Sequence, residues 1–429
     1  MGVGQRLALL AGATVVATAA SAQPAGQKVT GPVAVYWMSA ATQSGFGIPG
    51  AGGGERPSMT SIMKMMAGGG GASHSLILQL GSSTKPTSPP QAEHLPPAGL
   101  GVGDSIPLVT PQVQPQVVHE EGDRPQIPRE YQKPRGKMLI FWGCGEHAPA
   151  NQPVVIDFAE MTPEKMAAGK IPPGLAQLGR GIGGRPMQGP SASRNATYGD
   201  WPNSQGRRQV TPTSSLVGDH TVRGDYSPDI KFSLDQTQDF LPALNLTTNA
   251  RNPSGSIQLA WNSVAGAEAY GAMAIGASQA ETVVLWSSSE SQVAAFALPE
   301  YVSNGDLTRL VAAKTLMGPQ TTTCTVPKEV ADAAKAGFLQ MVAYGREANF
   351  AYPARPANPK TPWNIQWEVK VRYRSATGGL LGQAMPGMGG GGGRTSARGQ
   401  QDQPPPSPAD AAAARRRAIL NGIGGLIPH

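Results

Sequence analysis

The sequence predicts a mainly β protein, with two β-sandwich-like units, long Gly/Pro-rich loops and a short C-terminal helix. Three observations support this prediction. Short runs rich in β-branched and aromatic residues recur along the chain. Glycine and proline, with 55 and 40 of the 429 residues, make up about a fifth of the chain, against roughly 12% in an average protein. Convincing helical patterns are few.

The first 22 residues have the three parts of a secretory signal peptide. Arg6 closes a basic start, residues 7 to 18 are apolar or small, and an A-x-A cleavage site at 20 to 22 precedes Gln23. No later run reaches 18 apolar residues, so no transmembrane segment is expected after cleavage. The sequence therefore predicts a periplasmic or extracellular protein of a bacterial envelope.

The charge balance indicates which partners to expect. The formal net charge is +7, and cleavage of the leader would remove Arg6 and leave +6. The basic residues are dispersed and only 6% of residues are aromatic, whereas a nucleic-acid groove combines a dense basic path with stacking aromatics. We expect no nucleic-acid partner and no cofactor. A cell-envelope protein, a polysaccharide or an anionic lipid surface fits the mild positive charge.

The N-terminal unit is predicted to span residues 23–240. Its expected strands are the apolar runs at 33–39, 75–81, 137–143, 153–159 and 230–235. The run "MLIFW" is continuous, which is typical of a strand covered on both faces. Flexible Gly/Pro-rich segments are expected at 44–58, 83–105, 179–195 and 382–408.

The C-terminal unit is predicted to span residues 250–376. The stretch "SIQLAWNSVAGAEAYGAMAIGA" contains an alternating strand with Leu259 and Trp261, followed by Val264, Gly266 and Tyr270. This pattern resembles the first two core strands of a fibronectin type III domain. The resemblance implies an immunoglobulin-like sandwich with Tyr270 opposite the inward-facing Trp261, and it implies a module for spacing, adhesion or binding, since such domains are mostly non-catalytic.

Later segments fit the same sandwich only in part. Strands are expected at 321–327, 337–345 and 367–375, and a helix at 327–338 with Pro327 at its start. Residues 278–320 contain more chain than the middle strands of such a domain need, which indicates an insertion or a different strand order. A Gly/Pro-rich linker is predicted at 377–406.

Cys144, in "KMLIFWGCGEHAPA", is the main candidate for chemistry. With His147 as base it could be a nucleophile, although no third residue to orient the base is identifiable. With Glu146 and His147 it could bind a metal. The chain contains only two cysteines, and an even number in an oxidising compartment favours a disulfide from Cys144 to Cys324.

A second candidate is a methionine cluster. Met59, Met63 and Met66 would line one face of a short helix near His74, and thioethers are soft ligands that suit Cu(I). Methionine also packs into irregular apolar gaps, so a simple contact face explains the same stripe. A periplasmic copper-handling protein is therefore an alternative function.

The C-terminus, residues 407–429, predicts a capped basic helix. Ser407 to Asp410 form a capping box with Pro408 at the first helical position. A membrane or partner docking element is expected from the cations and apolar residues that follow, namely Arg415, Arg416, Arg417, Ile419 and Leu420. An alanine-rich helix left loose in solvent is the other interpretation.

The function that the sequence predicts is a non-catalytic structural or binding role in the cell envelope. The copper-handling protein and a Cys-dependent enzyme built on Cys144 are the alternatives.

Overall fold

The computed structural model describes residues 27–45, 71–86, 89–111, 136–160, 187–206, 210–278, 281–293 and 298–383, with residues 168 and 182. Strands account for 46% of the structure and helices for 8%, which confirms the prediction of a mainly β protein. Within the described ranges no helix is both long and apolar enough to cross a bilayer. The predicted leader, residues 384–406 of the predicted linker, and the predicted C-terminal helix lie outside the described residues. That helix includes Arg415, Arg416, Arg417, Ile419 and Leu420.

The described residues form nineteen strands and two α-helices. The strands of the first half are β1 (Val29–Thr30), β2 (Ala34–Gln43), β3 (Ser73–Ser82), β4 (Ala92–Leu95), β5 (Ile106–Pro107), β6 (Lys137–Trp142), β7 (Val154–Asp157), β8 (Thr197–Trp201), β9 (Gly218–Gly224) and β10 (Ser227–Leu234). Those of the second half are β11 (Leu246–Arg251), β12 (Ile257–Trp261), β13 (Ala267–Ala277), β14 (Thr282–Ser287), β15 (Thr323–Val326), β16 (Ala336–Gly345), β17 (Ala348–Tyr352), β18 (Trp363–Asn364) and β19 (Trp367–Leu380). The helices are α1 (Asn304–Ala312) and α2 (Lys328–Ala333).

A ten-stranded sheet is the centre of the fold. Its order is β7-β6-β14-β13-β16-β19-β2-β3-β8, and β17 pairs with β19 beside the end of β16. Two of its pairings are parallel, β6 with β14 and β19 with β2. Along β19 the inward residues Val369, Val371 and Tyr373 are buried, and they alternate with Lys370, Arg372 and Arg374 on the opposite face, as the two-residue period of a strand requires.

Two smaller sheets share one hydrophobic core with the large sheet. One has the order β10-β9-β4-β5 and the other the order β11-β12-β15. Tyr36 of the large sheet lies 6.3 Å from Phe232 of the first small sheet, and Trp261 of the second lies 5.8 Å from Tyr270, measured between ring centroids. The opposite face of the large sheet is covered near β13 and β16 by α1 and its neighbours, including Leu298, Leu307 and Leu316.

The predicted boundary between residues 240 and 250 does not separate two sheets. Strands of the predicted C-terminal unit form the middle of the ten-stranded sheet, and strands of the predicted N-terminal unit flank them on both sides. Ten residue pairs join β2 to β19, from Ala34↔Trp367 to Gln43↔Ala376. Hydrophobic periodicity identifies a strand and its buried face, but it does not identify the partner at the strand's edge. That is why the sequence predicted the strands and not their pairing across the two halves.

Three local predictions need correction. The segment 83–105 is not a loop throughout, because residues 89–105 contain β4 and the buried Leu100 and Val102. The helix predicted at 327–338 ends at Ala333, since β16 begins at Ala336. The strand predicted at 367–375 is longer than expected, because β19 continues to Leu380.

Candidate functional site

The position of Cys144 is set by the end of β6. This strand pairs in parallel with β14, from Lys137↔Thr282 to Trp142↔Ser287. Gly143 then turns the chain with a φ of 95°, a value that glycine adopts without a steric penalty. The turn is held on both sides, because the Gly143 N–H donates to the Ser287 carbonyl and the Trp286 Nε1–H donates to the Gly143 carbonyl.

Cys144 and Cys324 are joined by a disulfide. The two Cα atoms are 5.2 Å apart, within the range that disulfides need. Cys324 is 4% exposed on β15, whereas Cys144 is solvent-exposed. The bond therefore links the end of β6, in the large sheet, to an edge of the three-stranded sheet.

The segment after Cys144 continues along β15. The Gly145 N–H donates to the Thr325 carbonyl over 2.8 Å, and the Lys328 N–H donates to the Glu146 carbonyl over 2.9 Å. Residues 143–148 thus lie on the outer edge of β15 and the start of α2. We call these residues the clasp.

His147, at the end of the clasp, binds Glu329 of α2. Its Nδ1 is 3.0 Å from Oε1 of Glu329, and the Ala148 N–H donates to Oε2 over 2.8 Å. Burial raises the pKa of Glu329, but the hydrogen bonds from Ala148 and His147 outweigh this and lower the pKa overall. His147 is therefore engaged by a carboxylate of the second half of the chain.

These contacts decide what the Cys144 region can do chemically. A nucleophile needs a free thiolate, and the disulfide occupies the sulfur. A metal site at Cys144, Glu146 and His147 needs the same sulfur, and the described residues contain no group of three His, Cys, Asp or Glu side chains placed to hold a metal. In the oxidised protein the arrangement can clamp two sheets together and present a surface.

A pocket of about 520 Å³ lies beside the disulfide, within the size range of ligand sites. Trp142 and Cys144 contribute to it from the clasp side, and Leu316 and Met317 from the segment after α1. Lys314 and Glu290, also in the lining, form an ion pair of 2.9 Å. Both side chains are mostly exposed, so the pair adds little to stability, but it leaves neither charge free inside the pocket.

The sequence did not identify most of this pocket. Cys144 and His147 were candidates, but Lys314, Glu290 and Met317 had no local motif. The excess of chain at 278–320 was the one sequence feature that pointed to these residues, because Glu290, Lys314 and Met317 all belong to that segment.

The methionine cluster can be assessed only at His74, because Met59, Met63 and Met66 lie outside the described residues. His74 lies on β3, and its ring stacks on Phe240 with 4.1 Å between centroids. Burial lowers the pKa of His74, and the charge of Asp239 opposes that shift. Nδ1 of His74 is buried and accepts no hydrogen bond from the described residues.

A buried relay of two histidines was missed entirely. The Nε2–H of His220 donates to the Leu216 carbonyl over 2.7 Å, so Nδ1 of His220 accepts from Nε2–H of His94 at 2.9 Å. Nδ1 of His94 then accepts the hydroxyl proton of Tyr36 at 2.9 Å. His94 and His220 are 0% and 1% exposed, and every polar atom of the relay is paired when both rings are neutral.

No protein-family model, no curated protein and no solved structure matches this chain.

Proposed function

We propose that this chain is an exported cell-envelope protein with a non-catalytic binding role, and that the pocket beside the disulfide is its binding site. One observation carries the proposal. Cys144 is bonded to Cys324 at the rim of a pocket of about 520 Å³. Cys144 was the main candidate for a nucleophile or a metal ligand. Disulfides persist in the periplasm and outside the cell, in agreement with the leader-like residues 1–22.

The order of the strands supports the fibronectin type III resemblance of the second half. In immunoglobulin-like sandwiches strands A, B and E share one sheet and strands C′, C, F and G the other. Here β11, β12 and β15 form one sheet, and β14, β13, β16 and β19 are neighbours in the large sheet. We infer a fibronectin type III-like unit whose G strand, β19, also pairs with β2 of the first half.

The two alternative functions have less support. A Cys-dependent enzyme would require reduction of the disulfide before Cys144 could react. A copper site would require Met59, Met63 and Met66 to lie near Nδ1 of His74, which has no hydrogen-bond partner among the described residues. Titration of the purified protein with Cu(I) distinguishes this alternative, because we expect no tight stoichiometric binding.

Export and pocket binding can be tested in one experiment. We expect the protein, produced with its own leader in a Gram-negative host, to begin at Gln23 by intact mass and to be retained with the envelope fraction. Met317→Arg places a long cation in the pocket and should release the protein from that fraction. Val155→Arg, on the exposed surface of β7, is the matched control and should behave like the wild type.

Two results would contradict the proposal. One is a mature protein that keeps residues 1–22 and has two free thiols. The other is Met317→Arg protein that folds, forms its disulfide and is retained as well as the wild type, since the pocket would then contribute nothing to binding.

A further inference from the structure

The outer edge of β15 has unused main-chain groups beside the pocket. The Trp261 N–H donates to the Thr322 carbonyl over 3.0 Å, and the register pairs Leu259 with Cys324. In an antiparallel ladder alternate residues point their N–H and C=O groups to the same side. Residues 322, 324 and 326 therefore bond to β12, and the main-chain groups of Thr323 and Thr325 point outward.

The chain itself already uses part of this edge. The Thr325 carbonyl accepts the N–H of Gly145 in the clasp. Thr323, one pleat earlier, is exposed, and within the described ranges no main-chain bond is formed on its outer side. An edge strand with free N–H and C=O groups is a template for a further strand.

The pocket is located where an added strand would place a side chain. Thr321 and Thr323 line it, together with Trp142, Met317 and Leu316. Side chains alternate along a strand, so a segment bonded to Thr323 would direct one residue toward these apolar walls and the next toward solvent. The Glu290–Lys314 pair at the same pocket could contact a polar neighbour.

We propose that the edge of β15 at Thr323 binds an extended peptide of a partner protein by strand addition, with one apolar side chain in the pocket. The inference depends on the proposed function, because it names the ligand of that same site. We infer a peptide because the clasp, which is itself a main-chain segment, already bonds to this edge through Gly145 and Thr325. A lipid headgroup would need an uncompensated cation, and Lys314 is neutralised by Glu290.

The test measures binding of end-blocked synthetic hexapeptides to the mature, oxidised protein by fluorescence anisotropy. The peptides alternate a varied apolar residue with threonine. We expect a subset with one preferred apolar residue to bind. Methylation of single main-chain nitrogens of the peptide should abolish binding at every second residue and have no effect at the residues between. One set of peptide N–H groups faces β15 and the other faces solvent.

Two substitutions at one position give the matched protein control. Thr323→Pro removes the outward N–H while leaving the bonds of residues 322 and 324 to β12, and proline is tolerated on edge strands. Thr323→Val keeps the N–H. We expect the Thr323→Pro variant to bind the peptide about ten-fold more weakly than the Thr323→Val variant, as loss of one hydrogen bond predicts.

The outcomes separate this inference from the proposed function. If no hexapeptide binds, if methylation acts equally at all positions, or if Thr323→Pro protein with an intact disulfide binds as well as Thr323→Val, strand addition is wrong. If Met317→Arg still releases the protein from the envelope, the pocket binds a ligand of another class and the proposed function stands. If it does not, both fail.

Discussion

At the residue scale, the disulfide joins an exposed residue to a buried one. Cys144 and Cys324 are 180 residues apart, and cross-links that close long loops restrict the unfolded chain most. We expect Cys144→Ala to lower the free energy of unfolding by about 2 to 5 kcal/mol. Cys324→Ala removes the same bond and also empties a buried position, so it should cost more. Urea unfolding of both variants measures the difference.

Thiol titration checks the same bond directly. In denaturant, protein purified without reductant should show no free thiol until reductant is added. Two reactive thiols in protein recovered without reductant would show that the bond is absent, and they would return Cys144 and His147 to consideration as a reactive pair.

The relay of His94 and His220 predicts acid-sensitive stability. Burial lowers the pKa of both histidines. The neighbouring His220 ring lowers the pKa of His94 further. At His220 the Leu216 carbonyl and the charge of Asp219 oppose the shift. In the unfolded chain the two histidines bind protons below about pH 6.5, whereas in the folded chain they stay neutral there. Unfolding therefore takes up protons, and stability falls as the pH drops below about 6.5.

The slope should approach about 1.4 kcal/mol per pH unit for each histidine that stays neutral. Urea unfolding at about pH 7.5 and about pH 5.5 measures it. The double variant His94→Gln and His220→Gln should be less stable at the higher pH but should lose most of the pH dependence. His147→Gln, at an exposed ion pair, is the control and should keep it. A wild-type protein equally stable at both pH values would contradict the prediction.

At the element scale, the strands were the most predictable feature. The runs at 33–39, 75–81 and 137–143 correspond to β2, β3 and β6 because β-branched and aromatic residues are dense there. β4 was missed because Pro96 and Pro97 follow it and made the segment appear to be a loop. The order of the strands was not predictable, since the parallel pairing of β2 with β19 depends on backbone edges that carry no side-chain pattern.

The candidate site was predictable where residues are close in sequence, and the presence of only two cysteines also predicted the partner of Cys144. Cys144 and His147 stand three positions apart, and both belong to the clasp. Their actual partners, Cys324 and Glu329, lie on β15 and α2, and nothing local connects Glu329 with His147. His94 and His220 are 126 residues apart and share no motif, so only the pairing of β4 with β9 in one sheet brings them together.

Helix α1 was missed although its start has a recognisable pattern. Ser303 is the N-cap, and its Oγ accepts the Asp306 N–H at 3.2 Å. We expect Ser303→Ala to lower the free energy of unfolding by about 1 kcal/mol, and Ser303→Asp, which keeps an acceptor, to cost much less. Urea unfolding gives both values. Equal losses for the two variants would show that the cap is not the cause.

At the scale of the whole molecule, the contacts of Asn249 show how far the described fold extends towards the C-terminus. Asn249 accepts the Gly382 N–H and donates to the Gln383 carbonyl, so the fold extends at least to residue 383. We expect deletion of residues 389–429 to leave the melting temperature nearly unchanged while weakening retention with the envelope. Deletion from residue 376 onward would remove part of β19 and should lower the melting temperature sharply.

Calorimetry and fractionation of the two truncated proteins provide the measurement. Envelope retention that is unaffected by the loss of residues 389–429 would exclude the predicted docking helix with Arg415, Arg416 and Arg417. Retention would then depend on the folded unit alone.

The pairing of β2 with β19 also sets an order of events during synthesis. Ser39 and Arg372, on these two strands, are hydrogen-bonded although 333 positions separate them in the chain. A chain made from its N-terminus exposes β2 early, and one edge of that strand has no partner until almost the whole protein has been produced. Contacts of such long range slow folding and leave strand edges open to aggregation. Until β19 is available, β3 can pair with one edge of β2, and the other edge stays open.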